Sequence, residues 1–138
     1  MLQCITSSPK INEIIACQKY CYRDLSKWPK LDRLSQGQIN FFDSLIFQKH
    51  LEADAVSEAV YTLGVIHYRF ARYGMKPHFL DLWQQQFSDI LLKLRFDDDD
   101  EKRIFIEAFS IMNKYVVDVM NIAYAKCQQS AAKQEKLS

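Results

Sequence analysis

Apolar residues recur along this chain at intervals of three and four, and the two-residue alternation of a half-buried strand is nowhere sustained. That pattern predicts helices from end to end. A first helix is expected from about Pro9 to Asp24, with Ser7 or Ser8 as caps before "PKINEII". A second begins near Pro29, with Ser26 upstream, and runs through "LDRLSQGQINFFDSLIFQKHLE", where Leu34, Phe41, Phe42 and Leu45 share a face. No glycine or proline ends it, but the small acidic stretch "EADA" at 52–55 supplies Asp54 as the N-cap of a third helix, over about Ala55 to Tyr73. Its stripe is Val56, Val60, Leu63, His67 and Phe70.

Gly74 stands where a left-handed residue closes a helix, and Pro77 where the next one opens. The fourth helix carries Phe79, Trp83, Phe87, Leu91 and Leu94 on one face. "RFDDDDEKR" follows. Its consecutive aspartates lack the alternating ligand spacing and the glycine of a calcium loop, so they read as a solvated turn whose charge suits a helix N-terminus. The last helix, from about Glu101 to Cys127, is amphipathic, with Phe105, Phe109, Met112, Val116, Val119 and Ala123 on its buried side. Residues 1–8 and 128–138 read as disordered tails; "QQSAAKQEKLS" has too little apolar content to pack.

A chain of 138 residues that is 49% hydrophobic and 13% aromatic suits a single all-α domain with its own core, spanning 1–138. Eighteen basic and seventeen acidic residues are interspersed and leave a net charge of +1, so neither nucleic acid nor an anionic membrane is an expected partner. Cys4, Cys17, Cys21 and Cys127 form no C-x-x-C pair and no zinc pattern. The N-terminus lacks the charged start and apolar run of a secretion signal, and no stretch approaches the ~18 apolar residues of a membrane span. A soluble, cytoplasmic protein is expected. No Ser/His/Asp or Cys/His arrangement stands at recognisable spacing, so an enzyme is not expected.

A lone histidine on an apolar face is commonly a hydrogen-bonded core residue. The other use of such a histidine is as the axial ligand of a haem iron, which requires a neutral imidazole on a rigid helix beside an apolar pocket. Spacing alone does not choose between them. The segment "LGVIHYRFARYGMKPHFLDLW", however, resembles the F helix, FG corner and early G helix of a globin of the invertebrate, nematode-like kind. The matching positions are Leu63, Gly64, His67, Phe70, Gly74, Met75, Lys76, Pro77 and Phe79. "FFDSLIFQKHLEADAVSEAVYTLG" is similar to the E helix and EF corner, and "EAFSIMNKYVVDVMNIAY" to the H helix, so the likeness covers about residues 34–126. The resemblance implies a globin-like fold, haem (iron protoporphyrin) as cofactor, His67 as the proximal ligand of the metal, and oxygen or another small gas as the ligand bound.

If the corner lies near Ala53 and its flanking helices fold back on each other, a residue about fourteen past the corner faces one about fourteen before it. That directs attention to residues 36–42, where Gln36 and Gln38 are polar candidates for the distal side and Phe41 and Phe42 an apolar wall. Leu63, Phe70 and Met75 would complete the haem lining. His50, although "FQKH" resembles a distal motif, would lie ~25 Å from His67 along an unbroken helix, and like His78 it is expected at the surface.

The front of the chain departs from the globin pattern. Only about thirty residues precede the matched region, no phenylalanine occurs before Phe41, and "INEIIACQKYCYRDL" could stand for a B helix with Tyr20 or Tyr22 as a second distal donor. The shortened front would leave part of the G and H surface bare, at roughly 25 cal/mol per Å² of unburied apolar area, which a homodimer would cover. Two functions are therefore expected in competition: a haem protein for gas binding, oxygen transport, sensing or electron transfer, and a haem-less helical interaction module.

Overall fold

The computed structural model describes residues 1, 3–4, 10–11 and 29–138. Within them the chain forms α1 (Pro29–Asp43), a π-helical turn (Ser44–Gln48), α2 (Ala53–Tyr68), a short 3-10 helix (Ala71–Tyr73), α3 (His78–Leu92) and α4 (Asp99–Leu137). The fold is all-α, and no strand occurs among the described residues. Most of the expected first helix, with Ser7, Ser8, Tyr20, Tyr22, Cys17, Cys21 and the upstream Ser26, lies outside the described residues. Among those described, no helix is long and apolar enough to cross a membrane.

The break between the second and third expected helices is real, but it lies a few residues earlier than "EADA". The π turn ends on Lys49, whose N–H reaches the Ser44 carbonyl, and His50 and Leu51 then take left-handed backbone angles, with φ of 49° and 55°. Two successive left-handed L-residues cannot continue a helix, so the chain turns there without glycine or proline. Glu52, extended at φ −60° and ψ 124°, is the N-cap of α2, and its side chain makes no capping bond. Asp54 sits inside the first turn instead of capping it, where its charge still favours the positive end of the helix.

α2 ends at Tyr68, earlier than the apolar stripe suggests, and Phe70 to Met75 wind into a closing turn. Gly74 is left-handed at φ 97°; its N–H bonds the Ala71 carbonyl at 2.9 Å, and the Met75 N–H bonds the Phe70 carbonyl at 3.2 Å. This pair of bonds is the Schellman motif that the glycine predicted. Pro77 directly precedes α3 at φ −52°, so glycine stop and proline start are separated by only two residues.

α4 begins where the aspartates suggest, with Asp98 as N-cap accepting the Asp100 N–H at 2.7 Å and Asp99, Asp100 and Glu101 in the first turn. It does not end at Cys127. It continues to Leu137, so residues 128–137, expected as a disordered tail, are helical. Composition was nevertheless informative, because this extension is almost wholly exposed.

The main core joins α1, the π turn, α2, α3 and α4 through Phe42, Leu45, Val56, Val60, Leu80, Val116, Val117 and Met120. Leu45 and Val60 are fully buried, which contributes about 1.5–3 kcal/mol each relative to exposure. A second cluster of Cys4, Ile11, Leu31 and Phe79 packs between α1 and α3, with Met75 and Trp83 touching both clusters. The buried side of α4 is turned slightly from the expected line: Asn113, Val117, Met120 and Tyr124 are buried with Val116 and Ala123, while Phe105, Phe109, Met112 and Val119 are half-buried.

Candidate functional site

His67 lies on the last turn of α2, on the stripe that carries Val56, Val60 and Leu63 into the core. Its ring is half-buried, and Nδ1 stands 2.9 Å from the Leu63 carbonyl oxygen one turn earlier. A carbonyl only accepts, so Nδ1 carries the proton and donates it, and Nε2 is left with its lone pair. Burial pushes the pKa below the ordinary 6.5, and the bond to Leu63 opposes that shift without cancelling it. His67 is therefore a neutral imidazole of fixed tautomer, the form in which histidine binds a metal.

Phe70 places its ring edge-on to His67, at 6.5 Å between centroids, but is 44% exposed. Leu63 is half-buried against the main core. Met75 is half-buried between the two clusters, and its carbonyl accepts the Tyr124 hydroxyl at 2.7 Å. That bond ties α4 to the corner that follows His67, and nothing in the spacing of the apolar residues singled out Tyr124 for it.

On α1 the expected distal residues separate. Phe42 is buried among Trp83, Phe87 and Phe109, with centroids 6.2, 5.6 and 6.1 Å away, and Phe41 sits against its edge at 6.0 Å. These rings fill their own space as close-packed core. Gln36 is exposed and donates from Nε2 to Asn40 on its own helix at 2.8 Å. Gln38 is half-buried and directs Nε2 to the Met1 sulfur at 3.8 Å. His50 and His78 are exposed, as expected.

Two further features were not foreseen. Gly64, between Leu63 and His67, lets α2 approach α4 closely: a Cβ there would lie 2.8 Å from the Ala123 Cβ and from the Met120 Cα and carbonyl oxygen. On the flank of α2, an open groove of about 330 Å³ lies between Tyr61 and Tyr68 and the Lys126–Gln134 stretch of α4. Lys126 extends over the Tyr61 ring at 5.5 Å. Tyr61 and Tyr68 stand about 100° round α2 from His67, so this groove is separate from the histidine's face.

Among the described residues no three histidine, cysteine or carboxylate side chains come together to hold a bare metal ion. No protein-family model, curated protein or solved structure matches this chain.

Proposed function

We propose that this chain is a globin-like haem protein, with His67 supplying the axial nitrogen and the iron serving for gas binding, sensing or electron transfer. The observation that carries the reading is the Nδ1–H of His67 donating to the Leu63 carbonyl at 2.9 Å on an apolar helix face. A porphyrin brings four ligands of its own and asks the protein for one basic, immobile nitrogen. His67 meets that requirement: it is neutral, its tautomer is set, and Nε2 is the free donor. A bound haem would supply the redox-active iron and its gas-binding position; the chain's part is to hold Nε2 in place, with Leu63, Phe70 and Met75 as the apolar lining of this reading. Phe41 and Phe42 belong to the packed core, and Gln36 and Gln38 would serve as distal donors only by leaving Asn40 and the Met1 sulfur.

The test is the visible spectrum of the purified chain, as isolated and after addition of hemin, in ferric, dithionite-reduced and CO-treated states. A stoichiometric Soret band that shifts with CO is expected, and it should disappear in His67→Ala while the helical signal persists. Unchanged haem binding in that variant would remove His67 as the ligand.

One observation favours a second reading, a haem-less helical interaction module. Phe42, Trp83, Phe87 and Phe109 pack on one another. In a chain that takes up no haem, these rings pack on one another and complete the main core without a cofactor.

A further inference from the structure

The outer face of α4 carries a second apolar stripe. Ile104, Ile111, Tyr115 and Ile122 are 58%, 67%, 41% and 52% exposed. With Ala108 among them they follow one another at intervals of 4, 3, 4 and 7 residues, the spacing of a coiled-coil seam. They centre roughly 150° round the helix from Asn113, Val116 and Met120, so the fold that buries one stripe leaves the other in water.

The charges on the same face say what fits it. The stripe opens with Asp100 and Glu101 and runs on past Ile122 to Lys126 and Lys133, so one end is acidic and the other basic. Set two copies antiparallel about a two-fold axis at the level of Asn113. Ile104 then faces Ile122 of the second copy, Ile111 faces Tyr115, and Asp100 faces Lys126, the first turning from Arg103 at 3.6 Å and the second from the Tyr61 ring at 5.5 Å on its own chain. Asp118 falls opposite Ala108, the smallest residue of the seam, and its carboxylate is already held at 2.6 Å by Lys114 on its own helix. In a parallel pair, by contrast, Asp100, Asp118 and Lys126 would each meet their own copies. Like charges in register are repelled, and the antiparallel arrangement removes all three conflicts.

We propose that α4 is a self-association surface, on which two copies of this chain pair antiparallel through Ile104, Ile111, Tyr115 and Ile122, with Asp100 and Lys126 closing the ends. The contact is isologous, as a two-fold dimer requires. From Asp100 to Lys126 it is about 40 Å long and one helix wide, at the small end of specific interfaces, so the dimer dissociates on dilution. It is independent of what His67 binds.

Sedimentation velocity of the full chain from about 1 µM to 1 mM tests it, in the range where contacts of this size dissociate. A reversible monomer–dimer equilibrium is expected. Ile111→Glu and Ile104→Glu should each remain monomeric throughout, with far-ultraviolet circular dichroism unchanged because both side chains lie outside the core. Lys126→Asp should weaken the dimer about tenfold, and Asp100→Lys added to it should restore the affinity. A wild-type chain that stays monomeric across the range, or an Ile111→Glu chain that dimerises like wild type, would overturn the proposal. Failure of the charge exchange to restore affinity would overturn the antiparallel arrangement.

Discussion

The Tyr124 hydroxyl donates to the Met75 carbonyl at 2.7 Å, joining α4 to a position eight residues past His67. The Tyr124 ring is buried, Tyr68 meets it edge-on at 5.1 Å, and burial followed by the neighbouring Tyr68 phenol raises its pKa, so it stays a donor. Tyr124→Phe keeps the ring and removes the bond. It should cost about 1 kcal/mol, read as a lower urea midpoint at unchanged slope. A loss several times larger would mean that the corner itself collapses.

At Gly64 two effects oppose each other. Alanine in mid-helix is favoured over glycine by about 1 kcal/mol, but the added methyl would stand 2.8 Å from Met120 main-chain atoms that no rotamer can move. Overpacking of that kind costs about 1–3 kcal/mol, so Gly64→Ala should be net destabilising by on the order of 1 kcal/mol. Adding Ala123→Gly should not rescue it, because that change removes only one of the three contacts. Thermal unfolding of the single and double variants distinguishes these outcomes.

For His67 the direction of the pKa shift sets the direction of the pH effect. The unfolded ring takes up its proton near 6.5, whereas the folded ring, lowered by burial, does so only at lower pH. Between the two values the unfolded chain binds more protons. The stabilisation from the neutral ring is therefore complete above about 6.5, is lost as pH falls below it, and levels off at the folded value. Apo-protein denaturation midpoints between about pH 7.5 and 5.5 should fall for the wild type and flatten in His67→Gln, one proton limiting the slope to about 1.4 kcal/mol per pH unit.

The turn at His50 and Leu51 stores backbone strain. A left-handed L-residue costs roughly 1–2 kcal/mol, and glycine gives back part of that through its larger unfolded entropy. His50 is exposed and left-handed at φ 49°, so His50→Gly loses no core and should stabilise the chain by on the order of 0.5 kcal/mol. A destabilising result in thermal melts would show that the histidine ring is held by contacts of its own.

The helices were legible because their signals are local. Three- and four-residue spacing placed α1 to α4, Gly74 and Pro77 placed the corner after His67, and the aspartates placed the start of α4. What spacing missed depends on neighbours remote in sequence. The left-handed pair at His50 and Leu51 carries no glycine to announce it, and the closeness at Gly64 exists only because Met120 and Ala123 cross it. Asn113 reads as a polar interruption of α4, yet it is fully buried, and among the described residues its amide has no hydrogen-bond partner. The site divides in the same way. His67 stood out because an apolar stripe surrounds it and its bond to Leu63 is only four residues long. Gln36 and Gln38 rested on how two helices fold across a turn, which is not encoded in either helix alone.

Because α2 and α4 meet main chain to main chain at Gly64, the segment that bears His67 rests on a support with no rotamers. A displacement of the imidazole cannot be absorbed by a side chain swinging aside at that crossing. It bears instead on α4, a helix about 58 Å long. The position of the histidine is thus referred to the longest element of the fold through main-chain atoms, and not through side chains that could repack.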